Sequence, residues 1–369
     1  MDTSSESPLD EKDLHNILLW MPNWIGDVVL VLPALQALRE KYPHSRITAV
    51  AKAPSDQLLF AHSAIDTVIQ IPSGQTGGFL ARLRFAGKLR KYQFDLGIVF
   101  PNSLESAILL SISGAKNRLG YDTEGRELFL THPVPVTSQS KRTAYRVDYF
   151  FNAMAPLRLD PGARKFVALG KDQEDKAVEA FLCGGGWGEN DFLVTLHPGT
   201  SKAPRGWHLE RFGILCQKLA KAHKVKIVLL GHAGDAELLE KIRSVCPADT
   251  QPVPPDMDLR QVAALLQRSD LFIGNDSGMM HLAAMVGTPV VGIFGPGSPK
   301  TSGPYIDPEK QEIVTKNFPC SPCRQKFFTE CKPSAHNKPY CLEDISVKDV
   351  SEAVERLMQK IEKKKRVSR

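Results

Sequence analysis

Short apolar runs alternate with helical patterns along most of this 369-residue chain, and this alternation constrains the fold more than any other feature. The runs are rich in Val, Ile and Leu without a polar side, as strands are when both faces of a parallel sheet are covered. Strands are predicted at 16–20, 47–50, 68–71, 96–100, 192–196, 226–230, 271–274, 290–294 and 312–315. The pattern predicts an α/β protein with doubly wound parallel sheets.

The same plan occurs twice, once in each half of the chain. Helices are predicted at 28–41, 79–91, 103–113, 209–222, 236–245, 259–268, 279–286 and 347–361. Between the halves, residues 157–188 contain a run of three glycines, which is typical of a boundary. We therefore predict two Rossmann-like domains, at 13–175 and 185–345, that face each other with a site at the carboxyl ends of both sheets. Residues 1–12 are expected to be a disordered acidic N-terminus, and 346–369 a C-terminal helix with a basic tail.

Composition and charge exclude several classes of protein. The chain has 47 basic and 41 acidic residues, and the net charge of +6 is too small to indicate a nucleic-acid-binding protein. Seven cysteines are too few for a disulfide scaffold. Residues 17–35 are apolar enough to resemble a membrane span, but Pro22, Asn23 and Asp27 would be costly inside lipid. We expect a soluble protein of a reducing cytoplasm.

The first loop that can carry chemistry is 21–27, after the first strand. It ends in Gly26 and Asp27 and leads into a helix. Asp27 is either an N-cap or a carboxylate that accepts a proton from an attacking hydroxyl. With an ordinary pKa of ~3.9, Asp is ionised at neutral pH and suits the second role. Pro33 removes a hydrogen bond and predicts a kink in that helix.

A second loop, 197–207, lies between a strand and a helix and combines glycines, hydroxyls and cations. Exposed amides of the loop, with Thr200, Ser201, Lys202 and Arg205, could hold a diphosphate. The alternative is a solvated loop with incidental charges. Trp207 is expected to anchor the loop.

The third loop, 274–281, joins a buried strand to a helix. A helix that begins here presents free amides and the positive end of its dipole to an anion. Asp276 or Ser277 would alternatively be only the helix cap, and His281 either a structural histidine or a hydrogen-bonding one. The residues assigned to anion binding are Asp276, Ser277, Gly278, Met279 and His281.

Four of the cysteines form the pattern Cys320-x2-Cys323-x7-Cys331-x9-Cys341. The pattern is compatible with a structural zinc, although only the first gap is typical of one. Free thiols in a loop are the alternative. Because the cluster is far in sequence from the loops described above, we assign it no catalytic role.

These loops together resemble glycosyltransferase family 9, the ADP-heptose:lipopolysaccharide heptosyltransferases. The matching elements occur in family order, and the first two are most similar to the heptosyltransferase II branch. They are Asn23-Trp24-Ile25-Gly26-Asp27, Pro101-Asn102-Ser103, His197-Pro198-Gly199 followed by Trp207, and 275–281 followed by Gly295-Pro296. The resemblance covers roughly residues 14–358. One departure is Arg205, since family members usually have Lys there, and the two cations bind phosphate with different geometry.

The resemblance implies a GT-B fold and inverting, metal-independent transfer of heptose from ADP-L-glycero-D-manno-heptose, most similar to transfer of the second inner-core heptose. Asp27 matches the proposed general base. The leaving diphosphate would be neutralised by protein groups of the second and third loops. On the acceptor side, the candidates by loop position and resemblance are Asn102, Ser103, Arg118 and Tyr121.

The implied acceptor is an anionic, lipid-anchored lipopolysaccharide precursor, so we expect a protein that is peripheral on the cytoplasmic face of the inner membrane. We also expect a monomer. Arg84, Lys88 and Lys91 are spaced to share a helix face and could meet anionic lipid or the acceptor, unless the face is only solvated. Residues 360–369 contain six bases and one acid, either a membrane tether or a solvated end. Two alternative functions are a sugar-nucleotide epimerase or hydrolase and a non-enzymatic, zinc-stabilised binding module.

Overall fold

The computed structural model describes residues 14–367, except 61, 73–77, 163–171, 189–190, 248–249 and 324. The predicted disordered segment 1–12 and the last two residues of the basic tail lie outside the described residues, as do the side chains of 364–367. The chain falls into two compact units, which divide between residues 165 and 166. Within the described ranges, no helix is long and apolar enough to cross a membrane.

The first unit is built on a parallel sheet of six strands. The strands are β1 (Asn16–Trp20), β2 (Arg46–Ala51), β3 (Thr67–Gln70), β4 (Leu96–Val99), β5 (Asn117–Tyr121) and β6 (His132–Val134). Their order across the sheet is β3-β2-β1-β4-β5-β6. The helices are α1 (Ile25–Lys41), α2 (Asp56–Phe60), α3 (Phe79–Lys88), α4 (Leu104–Ile112), α5 (Ser138–Thr143) and α6 (Arg146–Asn152).

The second unit repeats this sheet. Its strands are β7 (Phe192–His197), β8 (Val225–Leu229), β9 (Gln251–Pro252), β10 (Leu271–Asn275), β11 (Val290–Ile293) and β12 (Gln311–Val314). Their order is β12-β11-β10-β7-β8-β9. Read from the β9 edge, this is the third, second, first, fourth, fifth and sixth strand of the unit, the same order as in the first sheet. The helices are α7 (Asp172–Gly184), α8 (Leu209–Ala222), α9 (Ala236–Arg243), α10 (Leu259–Arg268), α11 (Gly278–Met285), α12 (Pro299–Ser302), α13 (Tyr340–Glu343) and α14 (Val347–Val367).

Local sequence explains how these elements pack. All four residues of β4 are buried, and a Cβ at Gly97 would lie 2.6 Å from Cδ1 of Leu110, so the glycine lets α4 approach the sheet closely. At α10, the Asp258 side chain accepts from two backbone amides of the first turn, and the Gln261 side chain accepts from the Asp258 amide at 2.9 Å. This capping box fixes the start of the helix.

The structure confirms the predicted α/β class with two doubly wound parallel sheets, and it differs from the predicted elements in several places. It adds β5, β6 and β9, which the sequence patterns did not predict. Helix α1 begins at Ile25, three residues earlier than predicted, and continues past Pro33 to Lys41. The predicted helix 79–91 ends at Lys88 and gives way to a 3₁₀ turn, so Lys91 does not continue the helical face of Arg84 and Lys88.

The C-terminal helix is longer than predicted. α14 extends to Val367 rather than ending at 361, so much of the basic stretch 360–369 is helical. Lys360 in this stretch donates to Glu312 Oε1 at 2.9 Å. At least this base of the tail is therefore engaged within the second unit.

Candidate functional site

Both sheets reverse their strand order at one point, and the predicted loops follow the strands at these points. In the first sheet the reversal lies between β1 and β4, and in the second between β7 and β10. Open α/β sheets bind ligands at the carboxyl ends of the strands that flank such a reversal. Loop 21–27 follows β1 and loop 100–103 follows β4, whereas loops 198–207 and 276–281 follow β7 and β10.

Asp27 lies in the first turn of α1 and is not its N-cap. Trp24 occupies the cap position without a side-chain hydrogen bond, so the cap interpretation of Asp27 is wrong. The Asp27 carboxylate is about a third exposed, and its Oδ1 lies 3.4 Å from Nη2 of Arg146. A water-accessible pair at this distance is weak, which leaves the carboxylate available to another partner.

Arg146 and Tyr149 of α6 connect Asp27 to Asn102. The Arg146 guanidinium lies 4.7 Å from the centre of the Tyr149 ring, and Asn102 Nδ2 donates to the Tyr149 hydroxyl at 2.8 Å. Burial raises the pKa of Tyr149, the Asn102 hydrogen bond opposes this, and the Asp27 charge adds to it. Asn102 Oδ1 is buried and has no hydrogen-bond partner among the described residues. Such an unpaired buried acceptor calls for a partner, here a ligand donor or a water.

The sequence did not predict Arg146 or Tyr149, because α6 is not part of a strand-end loop. Tyr121 was predicted, and the structure places it directly beneath Tyr149: its hydroxyl donates to the Tyr149 carbonyl at 2.5 Å. Burial raises the pKa of Tyr121 far above its ordinary value. The fully buried Arg126 donates to the carbonyls of Tyr121 and Pro101. It thereby ties the end of β5 to the loop that follows β4.

Two other predicted acceptor-side residues have different surroundings. Ser103 is the N-cap of α4, and its hydroxyl accepts from the Ser106 amide. Arg118 lies near the amino end of β5, and its guanidinium donates to the carbonyls of Phe129 at 2.7 Å and Ala115 at 2.9 Å. Because ligands of a parallel sheet bind at the carboxyl end, the structure does not bring Arg118 to the other candidates.

In the second sheet, a buried asparagine holds two loops together. Asn275 is inaccessible to solvent, its Oδ1 accepts from the Trp207 amide at 2.9 Å, and its Nδ2 donates to the Pro198 carbonyl at 2.7 Å. Trp207 is buried as well, and its Nε1 donates to the Ile345 carbonyl at 2.8 Å. Trp207 therefore anchors loop 197–207 as predicted, whereas the role of Asn275 was not predicted.

Arg205 and Asp276 form the main ion pair of these loops. Arg205 Nη2 donates to Asp276 Oδ2 at 2.6 Å and to the Asp276 carbonyl at 3.1 Å. Asp276 is 7% exposed, and a Cβ at Gly297 would lie only 2.3 Å from its Oδ2, so the loop after β11 packs directly on this carboxylate. Arg205 Nε and Thr200 Oγ1 are buried without hydrogen-bond partners in the described part of the chain.

Ser201 and Lys202 are exposed in the same loop. Ser277 occupies the N-cap position of α11 but makes no capping hydrogen bond, and its hydroxyl lies 3.3 Å from Nδ1 of His197 instead. The amides of the first turn, at Gly278 and Met279, thus lack a side-chain cap and can bind an anion. His281 is buried in α11, one turn after Ser277.

The four cysteines of the pattern 320–341 form no disulfide. Burial and the nearby sulfurs of Cys323, Cys320 and Cys331 raise the pKa of Cys341 to about 12. In the described ranges, no group of three or more His, Cys, Asp or Glu side chains is arranged to hold a metal ion. Both alternatives for these cysteines, a structural zinc and free thiols, stay predictions.

Comparison with known proteins agrees with this geometry. The family model for glycosyltransferase family 9 (heptosyltransferase) matches residues 82–332. Lipooligosaccharide heptosyltransferase 2 of Haemophilus influenzae is 26% identical over 311 residues, 79% of this chain and 86% of that protein. The structure of a family 9 glycosyltransferase from Veillonella parvula superposes with a TM-score of 0.82 at 23% identity, over 95% of this chain and 98% of the other.

A second solved structure, E. coli ADP-heptose lps heptosyltransferase II, superposes with a TM-score of 0.74 at 21% identity and covers 93% of this chain and 99% of that one. At this identity the likeness shows the fold alone. Together with the two sheets of identical strand order, it confirms the predicted GT-B fold.

His197, at the end of β7, makes stability depend on pH. Burial lowers the pKa of His197 to about 4, although the Asp235 charge partly opposes this. In the unfolded chain His197 has the ordinary pKa of ~6.5, so below pH 6.5 the unfolded state takes up a proton that the folded state does not. The folded state is therefore destabilised as the pH falls from 6.5 to 4, and above pH 6.5 His197 causes no such loss. Between pH 7.5 and 5.5, this residue should lower the free energy of unfolding by about 1.4 kcal/mol.

Urea denaturation of the wild type and of His197→Gln at both pH values measures this effect. The variant should show a pH difference smaller by that amount, whereas the exposed control His44→Gln should retain the full difference. An equal difference in wild type and His197→Gln would contradict the assignment.

Proposed function

Because the chain belongs to glycosyltransferase family 9, the heptosyltransferase family, we propose that it transfers heptose from ADP-L-glycero-D-manno-heptose to the inner core of a lipopolysaccharide precursor, as the second heptose. The observation that carries this proposal is the placement of a carboxylate loop and an anion-binding loop at the strand-order reversals of the two sheets. Several relatives are heptosyltransferases 2, which supports the choice of the second transfer.

On the donor side, the second sheet provides the groups that a leaving diphosphate requires. Arg205 brings a positive charge, and the first-turn amides of α11 add the helix dipole. Arg205 Nε and Thr200 Oγ1 are buried donors without partners in the described chain, and phosphate oxygens would supply the missing acceptors. Ser201, Lys202, Asp276, Ser277 and His281 complete the proposed donor site. We propose no cofactor besides the donor substrate.

On the acceptor side, we assign Asp27 as the general base. The acceptor hydroxyl gives its proton to the Asp27 carboxylate while its oxygen forms a bond to the anomeric carbon of heptose. The bond from that carbon to the diphosphate breaks, and ADP leaves with the electron pair, so the anomeric configuration inverts. Asn102 Oδ1 would accept a hydrogen bond from a hydroxyl of the acceptor sugar. Arg146 lies beside Asp27 as a weakly paired positive charge.

The two alternative functions are not favoured. The matching family is one of glycosyltransferases, which argues against an epimerase or hydrolase. The same family match argues against a non-enzymatic, zinc-stabilised binding module.

We further propose that the enzyme acts as a monomer on the cytoplasmic face of the inner membrane and meets it through α3. Phe79 and Leu80, in the first turn of α3, are 44% and 68% exposed. Arg84 and Lys88 are exposed on the same helix, and neither forms an ion pair within the described chain. Exposed apolar side chains next to unpaired bases suit an anionic lipid surface.

The transfer reaction tests the function and the base together. The wild type should transfer heptose from ADP-heptose to a mono-heptosylated acceptor and not to a heptose-free one. Asp27→Asn should lower kcat by about 100-fold or more while ADP affinity stays within about twofold, because only proton removal is lost. Asp148→Asn makes the same charge change at an exposed position of α6 and should remain active. A fully active Asp27→Asn enzyme would refute the base assignment, and transfer to the heptose-free acceptor alone would assign the first heptose.

ADP binding by calorimetry tests the role of Arg205. Arg205→Ala should weaken ADP affinity by about tenfold or more, because a charge-assisted phosphate contact is lost. Lys202→Ala is the matched comparison, and thermal denaturation of both variants controls for the buried Asp276 that loses its partner. Unchanged affinity in Arg205→Ala with weakened binding in Lys202→Ala would move the phosphate contact to Lys202.

Sedimentation with vesicles tests the membrane surface. Leu80→Glu and Lys88→Glu should each weaken binding to vesicles that contain anionic phosphatidylglycerol by at least about fivefold, since each basic residue near such a surface contributes about 1 kcal/mol. Lys218→Glu makes the same charge change on an exposed position of α8 in the second unit and should bind like the wild type. Equal binding by all variants would contradict the proposal.

A further inference from the structure

The cysteine-rich segment, residues 320–341, contacts both loops that surround Asp276. At its start, the Ser321 hydroxyl donates to the Gly295 carbonyl at 2.8 Å, and the Cys323 amide donates to the Pro296 carbonyl at 3.2 Å. These carbonyls belong to the loop whose Gly297 packs on the Asp276 carboxylate. The start of the segment therefore supports one side of the ion pair between Asp276 and Arg205.

The end of the segment supports the other side. Lys338 Nζ donates to the Gly206 carbonyl at 2.8 Å and to the Ala203 carbonyl at 3.1 Å. These two carbonyls lie on either side of Arg205, in the 3₁₀ turn Ala203–Arg205 and directly after it. Lys338 thus fixes the short stretch of backbone from which the Arg205 guanidinium extends.

Lys338 is itself held rigidly. The Ser334 amide donates to the Lys338 carbonyl at 2.8 Å, and the Lys338 amide donates to the Ser334 hydroxyl at 3.2 Å. The Ser334 hydroxyl in turn donates to Glu343 Oε2 at 2.7 Å, and Glu343 also pairs with Arg211 at 3.1 Å. A turn that is tied in this way can hold the lysine against the donor loop.

The bonds of Lys338 are made to carbonyls rather than to a carboxylate. Burial lowers the pKa of Lys338, and the charges of Glu210 and Glu343 oppose this. Among the described residues, the ion pairs of Glu343 are with His208, Arg211 and His336 rather than with Lys338. Removing its ammonium group would therefore free the two carbonyls of the loop without leaving a buried acid unpaired. A substitution of Lys338 should therefore change the geometry of this loop with little effect on the stability of the rest of the unit.

We propose that Lys338 is a positioning residue of the donor site: it orders the backbone at 203–206 and so places Arg205 for the diphosphate of the nucleotide sugar. The cysteine-rich segment, to which the sequence assigned no catalytic role, is in this proposal a part of the chain that affects nucleotide affinity. The inference rests on the proposed function, because it assumes that loop 197–207 binds the donor.

Calorimetry with ADP and transfer kinetics with ADP-heptose test this role. Lys338→Met keeps the aliphatic stem and should weaken ADP affinity and raise the donor KM by about tenfold, with kcat within about twofold. Lys338→Arg, which retains a charged donor, should restore most of the affinity. Lys332→Met, on an exposed lysine of the same segment, should match the wild type.

A double-mutant cycle with Arg205→Ala separates positioning from a direct contact. If Lys338 acts through Arg205, adding Lys338→Met to Arg205→Ala should weaken ADP binding by less than about twofold. If Lys338→Met melts far below the wild type, Lys338→Gln replaces it in the same cycle. Wild-type affinity in the lysine variant, or full additivity of the two losses, would overturn the inference. Absence of ADP binding by the wild-type enzyme would instead overturn the proposed function.

Discussion

Each half of this chain reverses its strand order between its first and fourth strands, and the chemistry depends on the opening that this reversal creates. Helices that leave adjacent strands in opposite directions leave the loops at the carboxyl ends of β1, β4, β7 and β10 uncovered. The buried sheets beneath supply the rigidity. A carboxylate, amides and a guanidinium are thereby held close to the strand ends, in the first turns of α1 and α11 and in loop 197–207.

Buried polar contacts, more than surface charge, determine the shape of these loops. Asn275, at the end of β10, binds loop 197–207 through both ends of its amide. In the first sheet, Arg126 ties the end of β5 to the loop after β4 through two carbonyls. Leaving such groups unpaired would cost about 1–3 kcal/mol each, so each loop has one favourable arrangement. Arg126 Nη2 also lacks a partner among the described residues, so an unpaired atom alone does not identify a ligand contact. Asn102 Oδ1, Thr200 Oγ1 and Arg205 Nε combine such an unpaired atom with a position at a strand-order reversal.

The sequence predicted the parts of the structure that have a strong periodic signal. The bounds of β1, α8 and α10 agree residue for residue, and every loop assigned to chemistry follows the predicted strand. The short strands β5, β6 and β9 were missed because β6 and β9 contain proline and β5 begins with polar residues. Arg146 and Tyr149 approach Asp27 only through tertiary packing of α6, and sequence position alone could not show at which end of β5 Arg118 lies.

The late position of the cysteine-rich segment has a consequence for how the enzyme is made. A chain growing from its N-terminus completes the last strand of the second sheet at Val314, before Ser321, Lys338 or Ile345 has been synthesised. The partners that these three residues provide for Gly295, Gly206 and Trp207 do not yet exist at that stage. The sheet can therefore form during translation, whereas the geometry around Arg205 is completed only after Lys338 and Ile345 have emerged.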